Sequence, residues 1–290
     1  MKKIAIPASL TRKRHHSILG NRRRKTLAIA FLCLFVLIVL LLGTQIISTD
    51  GLEISLQARN QPPSFAHPFG TDWLGRDMLT RTLHGLSLSL WVGLLTAICS
   101  AVLAMVLGTI SAIMGGKVDL AITWLIDVFL SLPHLVLIIL AAFATGGGVR
   151  GLFISIIITH WMGLTRLLRA EALQIKSSDY VQLSSKLGRS PFWIARHHMI
   201  PHLFPQFIVG LILLFPHAIL HEAALTFLGL GLSPETPALG IILSESMRYL
   251  SAGYWWLSVL PGIALLIAVK TFDILGASVR ALLDPKTSQG

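Results

Sequence analysis

Residues 178–201 read SDYVQLSSKLGRSPFWIARHHMIP, a polar and basic island in an otherwise strongly apolar chain. Such an island is a watery loop between segments that live in lipid. The pattern predicts a helix over roughly Tyr180 to Leu187. Gly188 suits the left-handed residue that ends a helix. Ser190-Pro191 restarts one, with serine as N-cap and proline at the first helical position, where its missing N–H costs nothing. Pro201 is expected to close the unit before the next apolar run. A compact helix–break–helix between two membrane spans presents a rigid shape at a fixed place, which suits docking to a partner.

Outward from the island, composition sets the class. Of 290 residues, 54% are hydrophobic and 13% charged, and the mean hydropathy is +0.74. Soluble domains carry roughly 25% charged residues, so this is a polytopic membrane protein, and one membrane domain fits the length. The net charge of +11 does not point to nucleic acid: nine Lys/Arg precede residue 26 without an acid, and the others mostly sit between apolar runs, as positive-inside loops do. Cys33 and Cys99 both fall in apolar runs, which suggests neither a disulfide nor a thiol metal site.

Residues 1–25 form a basic cytoplasmic tail. Residues 26–47 carry no charge and, at 1.5 Å per residue, cover roughly 33 Å, enough for an uncleaved first transmembrane anchor. Residues 48–86 form an extracytoplasmic segment, where a helix over Thr71 to Leu83 would set Asp72/Arg76 and Asp77/Arg81 as i,i+4 pairs. Ser87 to Met114 is the second span, and Gly115-Gly116-Lys117 a tight cytoplasmic turn. Ala121 to Ala144 is the third, kinked at Pro133. Its Asp127 faces the bundle interior or water, with a structural role and no partner identified. After an exterior turn at Gly146 to Gly148, the fourth span, Gly151 to Thr165, continues as a helix into the cytoplasm with Arg166 and Arg169 snorkelling. Leu203 to Leu232 is the fifth span, broken by Pro205 and Pro216. Ser233 to Gly253 is exterior, either dipping toward the pore or lying on the surface. Tyr254-Trp255-Trp256 is an interfacial belt, Leu257 to Val269 the sixth span, and Lys270 pairs with Asp273. The expectation is an all-α bundle of six transmembrane helices: a five-helix core over residues 87–280, a cytoplasmic loop over 166–201, and a tail over 281–290.

Asp127, His217, His221 and Glu222 are candidates for a translocation path. His217 and His221 share a helix face at a spacing that can chelate a metal. The order is not H-E-x-x-H, no third ligand is evident, and Glu222 points about 100° away. These are therefore read as interior histidines and no metal site is assigned. His134 and His160 read as lone structural histidines. No Walker A pattern or catalytic constellation is present.

Three stretches carry a resemblance. Gly188 and Pro201 stand at the separation of the Gly and Pro in the Glu-Ala-Ala cytoplasmic loop of ABC importer permeases, with Gln182-Leu183-Ser184 in place of Glu-Ala-Ala, His198 in place of Ile and Ile200 in place of Leu. HPFGTDWLGRDMLTR (67–81) resembles the signature of the C-type permease subunit of dipeptide, oligopeptide and nickel importers, matching at His67, Phe69, Gly70, Thr71, Asp72, Gly75, Arg76, Asp77 and Arg81. EAALTFLGLGLSPETPALG (222–240) is the third match. Leu283-Asp284-Pro285 also resembles the family's ending, with Asp273 for the usual Asn and Ala277 for the usual Asp.

The resemblance implies a type I ABC importer permease-like bundle, not itself an enzyme, in the inner membrane of a prokaryote with both termini cytoplasmic. It implies a homologous second permease, two ATPase subunits carrying ATP and Mg, and an extracytoplasmic substrate-binding protein, with membrane lipid around the bundle and no cofactor on this chain. Cargo would be short peptides, nickel or a nickel chelate. Lys186, Leu187, Gly188, Arg189, Pro191, Ile194 and Pro201 would couple to the ATPases, with Leu187 and Ile194 as apolar anchors. The alternatives are an ion-coupled secondary transporter using Asp127, Glu222 and Asp273, whose usual internal repeat is not found here, and a membrane enzyme using the histidines.

Overall fold

The computed structural model describes residues 16–42, 44 and 48–283. The start of the basic tail, residues 43 and 45–47 of the first span, and the chain end from residue 284 lie outside the described residues. Helix α1 is His16–Leu42, followed by 3-10 turns at Thr49–Leu52 and Leu56–Ala58. Then come α2 (Met78–Met114), α3 (Gly116–Leu130), α4 (His134–Ala144) and α5 (Gly148–Lys176). The island supplies α6 (Asp179–Lys186) and α7 (Pro191–Ile194). Helices α8 (Ile200–Phe227), α9 (Leu239–Leu250) and α10 (Trp256–Leu283) complete the chain. The described residues contain no strand, only an isolated bridge between Thr71 and Asp77. The fold is an all-α membrane bundle.

Several expectations change. Thr71 to Asp77 is not helical: the bridge folds it back, and α2 starts at Met78, inside the segment expected to be wholly exterior. Asp77 is the N-cap of α2, accepting from the Thr80 N–H and hydroxyl at 2.8 Å each, and it contacts His67 Nδ1 at 2.9 Å rather than Arg81. Asp72 does meet Arg76, at 2.7 Å, and it also takes Arg81 at 3.1 Å. Arg81 reaches on to Glu245 in α9 at 2.6 Å. This network ties the exterior segment to α2 and α9.

The third span is not a single kinked helix. Pro133 excludes Leu132 from the α region, the helix stops at Leu130, and α4 leaves α3 at 102°. Neither half alone reaches across a bilayer, at about 22 Å and 16 Å. Contacts along α5 place the pair. Asp119 meets Arg169, Asp127 meets Arg166, His134 meets His160, and the Ala142 carbonyl lies against Gly151. The pair therefore travels about 27 Å along the axis of α5. It counts as one crossing, which with α1, α2, α5, α8 and α10 makes six.

Pro205 and Pro216 do not break the fifth span either. Helix α8 runs through both, since neighbouring helices and local adjustments absorb the freed carbonyls. Pro201 sits in its first turn, where proline is tolerated, so it does not close the island: α7 passes into α8 through one π-helical turn, Ala195–Met199. The re-entrant-or-surface question settles toward packing, because Leu239, Ile241 and Ile242 of α9 are buried in the bundle core.

Two apolar cores stack along the bundle. One joins α1, the first half of α2, α4, the first half of α5, the later part of α8, α9 and α10. The other joins the second halves of α2 and α5 to Ile126 and to Val181, Ile194, Met199 and Leu203. Buried hydroxyls return to carbonyls a turn back, as Thr96 to Val92 (2.9 Å), Thr159 to Ser155 (2.7 Å) and Thr165 to Trp161 (2.8 Å), so none is left unpaired at these positions. Helix α2 approaches its neighbours through glycines: a Cβ on Gly93 would lie 2.6 Å from Ile219 of α8, and one on Gly108 would lie 3.2 Å from Leu168 and the Thr165 carbonyl of α5.

Candidate functional site

The island folds into a locked hairpin. Gly188 has φ +82°. Its N–H donates to the Ser185 carbonyl at 3.0 Å, and the Arg189 N–H donates to Ser184 at 3.1 Å, the two bonds of a Schellman ending. Ser190 then caps α7 by accepting from the Trp193 N–H at 3.2 Å, with Pro191 at the first helical position. Rings rivet the two arms. Arg189 lies over Trp193 at 4.5 Å, Trp193 stacks on His197 at 4.4 Å, and Tyr180 meets His198 at 5.4 Å and His202 at 6.0 Å. His198 Nε2 is 3.0 Å from the Ser184 hydroxyl, which gives the substituted Ile position its own link across the hairpin.

The hairpin stands on the bundle through Val181, Ile194 and Met199. Lys176 Nζ donates to the carbonyls of Ala112 (2.6 Å) and Ile113 (3.1 Å) at the end of α2. Between them lies a cleft of about 370 Å³ lined in part by Lys186 and Pro191. Ile194, expected as an apolar anchor for a partner, is only 8% exposed and is spent inside this chain. Leu187 is 74% exposed and Phe192, which the sequence reading passed over, is 76% exposed. Two large apolar side chains in water flank Gly188, with Lys186 and Arg189 beside them. The signal for Phe192 was available: it follows the Ser190-Pro191 helix start directly.

The transmembrane candidates do not converge as expected. Asp127 has a partner, Arg166, at 2.6 Å, and the pair is exposed. Arg169 does not snorkel; it grips Asp119 with two nitrogens, at 2.5 and 2.7 Å, and reaches Ser111 at 3.1 Å. Lys270 and Asp273 pair at 3.3 Å, as the sequence suggested. Glu222 is fully buried and accepts from the Thr226 hydroxyl at 3.0 Å, while its second oxygen has no protein partner among the described residues. His217 is exposed and contributes its carbonyl, not its ring, to His221, at 2.7 Å. His134 and His160 are not lone residues: with His221 they form a triangle of rings whose centroids lie 4.9–5.0 Å apart. The third histidine was hidden because it comes from α4, brought in by the Pro133 elbow.

Comparison with known proteins places this geometry. A family model described as binding-protein-dependent transport system inner membrane component matches residues 104–289. The chain is 32% identical over 266 residues to the dipeptide transport system permease protein DppC of Bacillus subtilis (strain 168), covering 92% of this chain and 83% of that protein. It is 33% identical over 261 residues to the probable D,D-dipeptide transport system permease protein DdpC of Escherichia coli (strain K12), covering 90% and 87%. It is 31% identical over 266 residues to the oligopeptide transport system permease protein OppC of B. subtilis, covering 91% and 87%. The bundle is thus that of a non-catalytic, polytopic inner-membrane permease subunit that works with ATPase and substrate-binding partners, and the chain belongs to the binding-protein-dependent transport system inner membrane components of ABC importers.

Proposed function

We propose that this permease passes short peptides inward by ATP-driven alternating access. The relatives named for dipeptide and oligopeptide transport support the cargo, and each aligns with most of this chain. The observation that carries the coupling role is the hairpin: Leu187 and Phe192 stand exposed on a loop held rigid by the Gly188 turn and its stacked rings. They enter a groove on an ATPase subunit, with Lys186 and Arg189 at its rim. Gly188 and Pro191 set the hairpin's shape, Ile194 packs its base on the bundle core, and Pro201 lies in the first turn of α8 behind it. Two ATPases bind ATP and Mg below, a homologous second permease covers the apolar flank, and a substrate-binding protein docks above. Both termini lie in the cytoplasm, as six crossings and the basic N-terminal residues favour. ATP closes the ATPase pair and moves the hairpin; a swing from 1:99 to 99:1 between inward and outward states needs about 5.5 kcal/mol of differential contact.

Uptake of labelled dipeptide and of radioactive nickel, in cells expressing the complete transporter, tests the cargo. Dipeptide uptake that vanishes with the permease or the ATPases supports the reading; nickel uptake without dipeptide uptake overturns it. Ion-coupled carriage is disfavoured by the match to binding-protein-dependent permeases along most of the chain.

A further inference from the structure

We propose that His134, His160 and His221 form a three-imidazole binding site for a first-row divalent transition metal inside this permease. The three side chains come from α4, α5 and α8, and one ring nitrogen of each lies within 4.8 Å of the others. The ring centroids make a nearly equilateral triangle of 4.9, 5.0 and 5.0 Å, with interplanar angles of 69–78°, the blades of a propeller. Three metal-bound imidazoles have this centroid spacing, with their ligating nitrogens drawn in to about 2.9–3.4 Å of one another. A metal about 2.0–2.1 Å from a ring nitrogen sits about 3.2 Å from the ring centroid, so ligand angles of about 90–109° put centroids about 4.5–5.2 Å apart.

The hydrogen bonds prepare the rings for this. His160 Nδ1 donates to the Ile156 carbonyl at 2.9 Å, and His221 Nδ1 donates to the His217 carbonyl at 2.7 Å. Each Nδ1 therefore carries the proton. His160 Nε2 also faces the His221 Nδ1–H at 3.3 Å, a contact that a metal ion would replace. A ligating histidine is held in the same way, by giving its other N–H to a backbone carbonyl. His160 is buried while His134 and His221 are half-buried, so the triangle is anchored at one corner and open at the other two. An all-imidazole set selects nickel, zinc, cobalt or copper over magnesium and calcium, which prefer oxygen. Edge-to-face packing of three neutral rings, together with the His160–His221 contact, is the competing account of the triangle, and it gives no reason for metal affinity.

The assembled transporter, purified through a tag without histidine, is titrated with Ni²⁺ and with Co²⁺. Binding is followed by metal content after gel filtration and by the visible absorption of the cobalt form. The wild type is expected to hold about one ion per copy of this permease, with cobalt bands of nitrogen ligation. His160→Gln and His221→Gln are each expected to weaken binding at least tenfold, since loss even of an outer partner costs about 10–100-fold. His16→Gln, outside the triangle, is expected to bind as the wild type does. Where His160→Gln fails to assemble, the half-buried His134→Gln and His221→Gln decide. Unchanged metal content and unchanged cobalt bands in the assembled variants would overturn the site. The readout is binding, so it is independent of whether peptides are the cargo.

Discussion

Gly188 shows what one backbone angle can govern. A Cβ built there meets nothing within 4 Å, so substitution costs conformation, not space. Gly188→Ala is expected to cost on the order of 1 kcal/mol, and Gly188→Val more, through the left-handed φ alone. The expected outcome for Gly188→Val is a normally inserted permease with loosened ATPases and lost uptake. Quantitative co-purification alongside transport checks it, and retention of both would remove the hairpin from the coupling role. Asp72 is a second case. It is buried against Arg76 and Arg81 and also accepts the Leu74 and Arg76 N–H groups, each at 2.9 Å. Removing one partner of a buried pair costs about 3–5 kcal/mol. Arg81→Ala should therefore make the exterior segment protease-sensitive while α2 stays inserted, as limited proteolysis from outside would report. Gly188 was legible because its requirement is local. The three-ring histidine cluster was not: the i,i+4 rule pairs His217 with His221, but His217 supplies only a carbonyl, and the true neighbours come from other helices.

At the scale of elements, the hairpin divides its apolar residues between two tasks. Phe192 and Leu187 are exposed and Ile194 is buried, so their alanine variants should separate. Phe192→Ala and Leu187→Ala are expected to leave the fold intact and to weaken ATPase binding by about 2 kcal/mol or more each, as buried interface anchors do. Ile194→Ala should instead destabilise the loop against α2 and α5 by about 2–5 kcal/mol, as large-to-small core changes do. Comparing thermal stability of the free permease with ATPase affinity distinguishes the two classes. The helix starts of the hairpin were readable because serine caps and proline at the first turn act locally. Which face each residue shows was not, because the π-helical turn at Ala195–Met199 shifts the register before α8. The Pro133 elbow was foreseen as a kink; its 102° angle depends on α5, against which both halves pack.

For the whole molecule, the proposed topology has six crossings with both ends on the side of the basic N-terminal residues, and it is tested by labelling. Cysteines introduced for Glu53 and Glu235, both exposed, are expected to react with an impermeant reagent in intact cells, and one introduced for Lys186 only after lysis. Labelling of Lys186→Cys from outside would invert the topology. The class of the fold was legible from hydropathy and charge bias, since lipid imposes them on every span. The exterior segment was misread because its order comes from a bridge and a buried ion network, not from helical spacing. Helix α2 has 37 residues and no proline, about 55 Å of unbroken rod in a bilayer about 30 Å thick. One tip is bonded to Lys176 at the base of the hairpin and the other to Glu245 through Arg81. Between them, Gly93 and Gly108 bring it closest to α8 and α5. A stiff rod moves as one piece. A push on one tip from ATPases docked at the hairpin would reach the other without a relay of local rearrangements, so an inner and an outer gate can answer to one displacement.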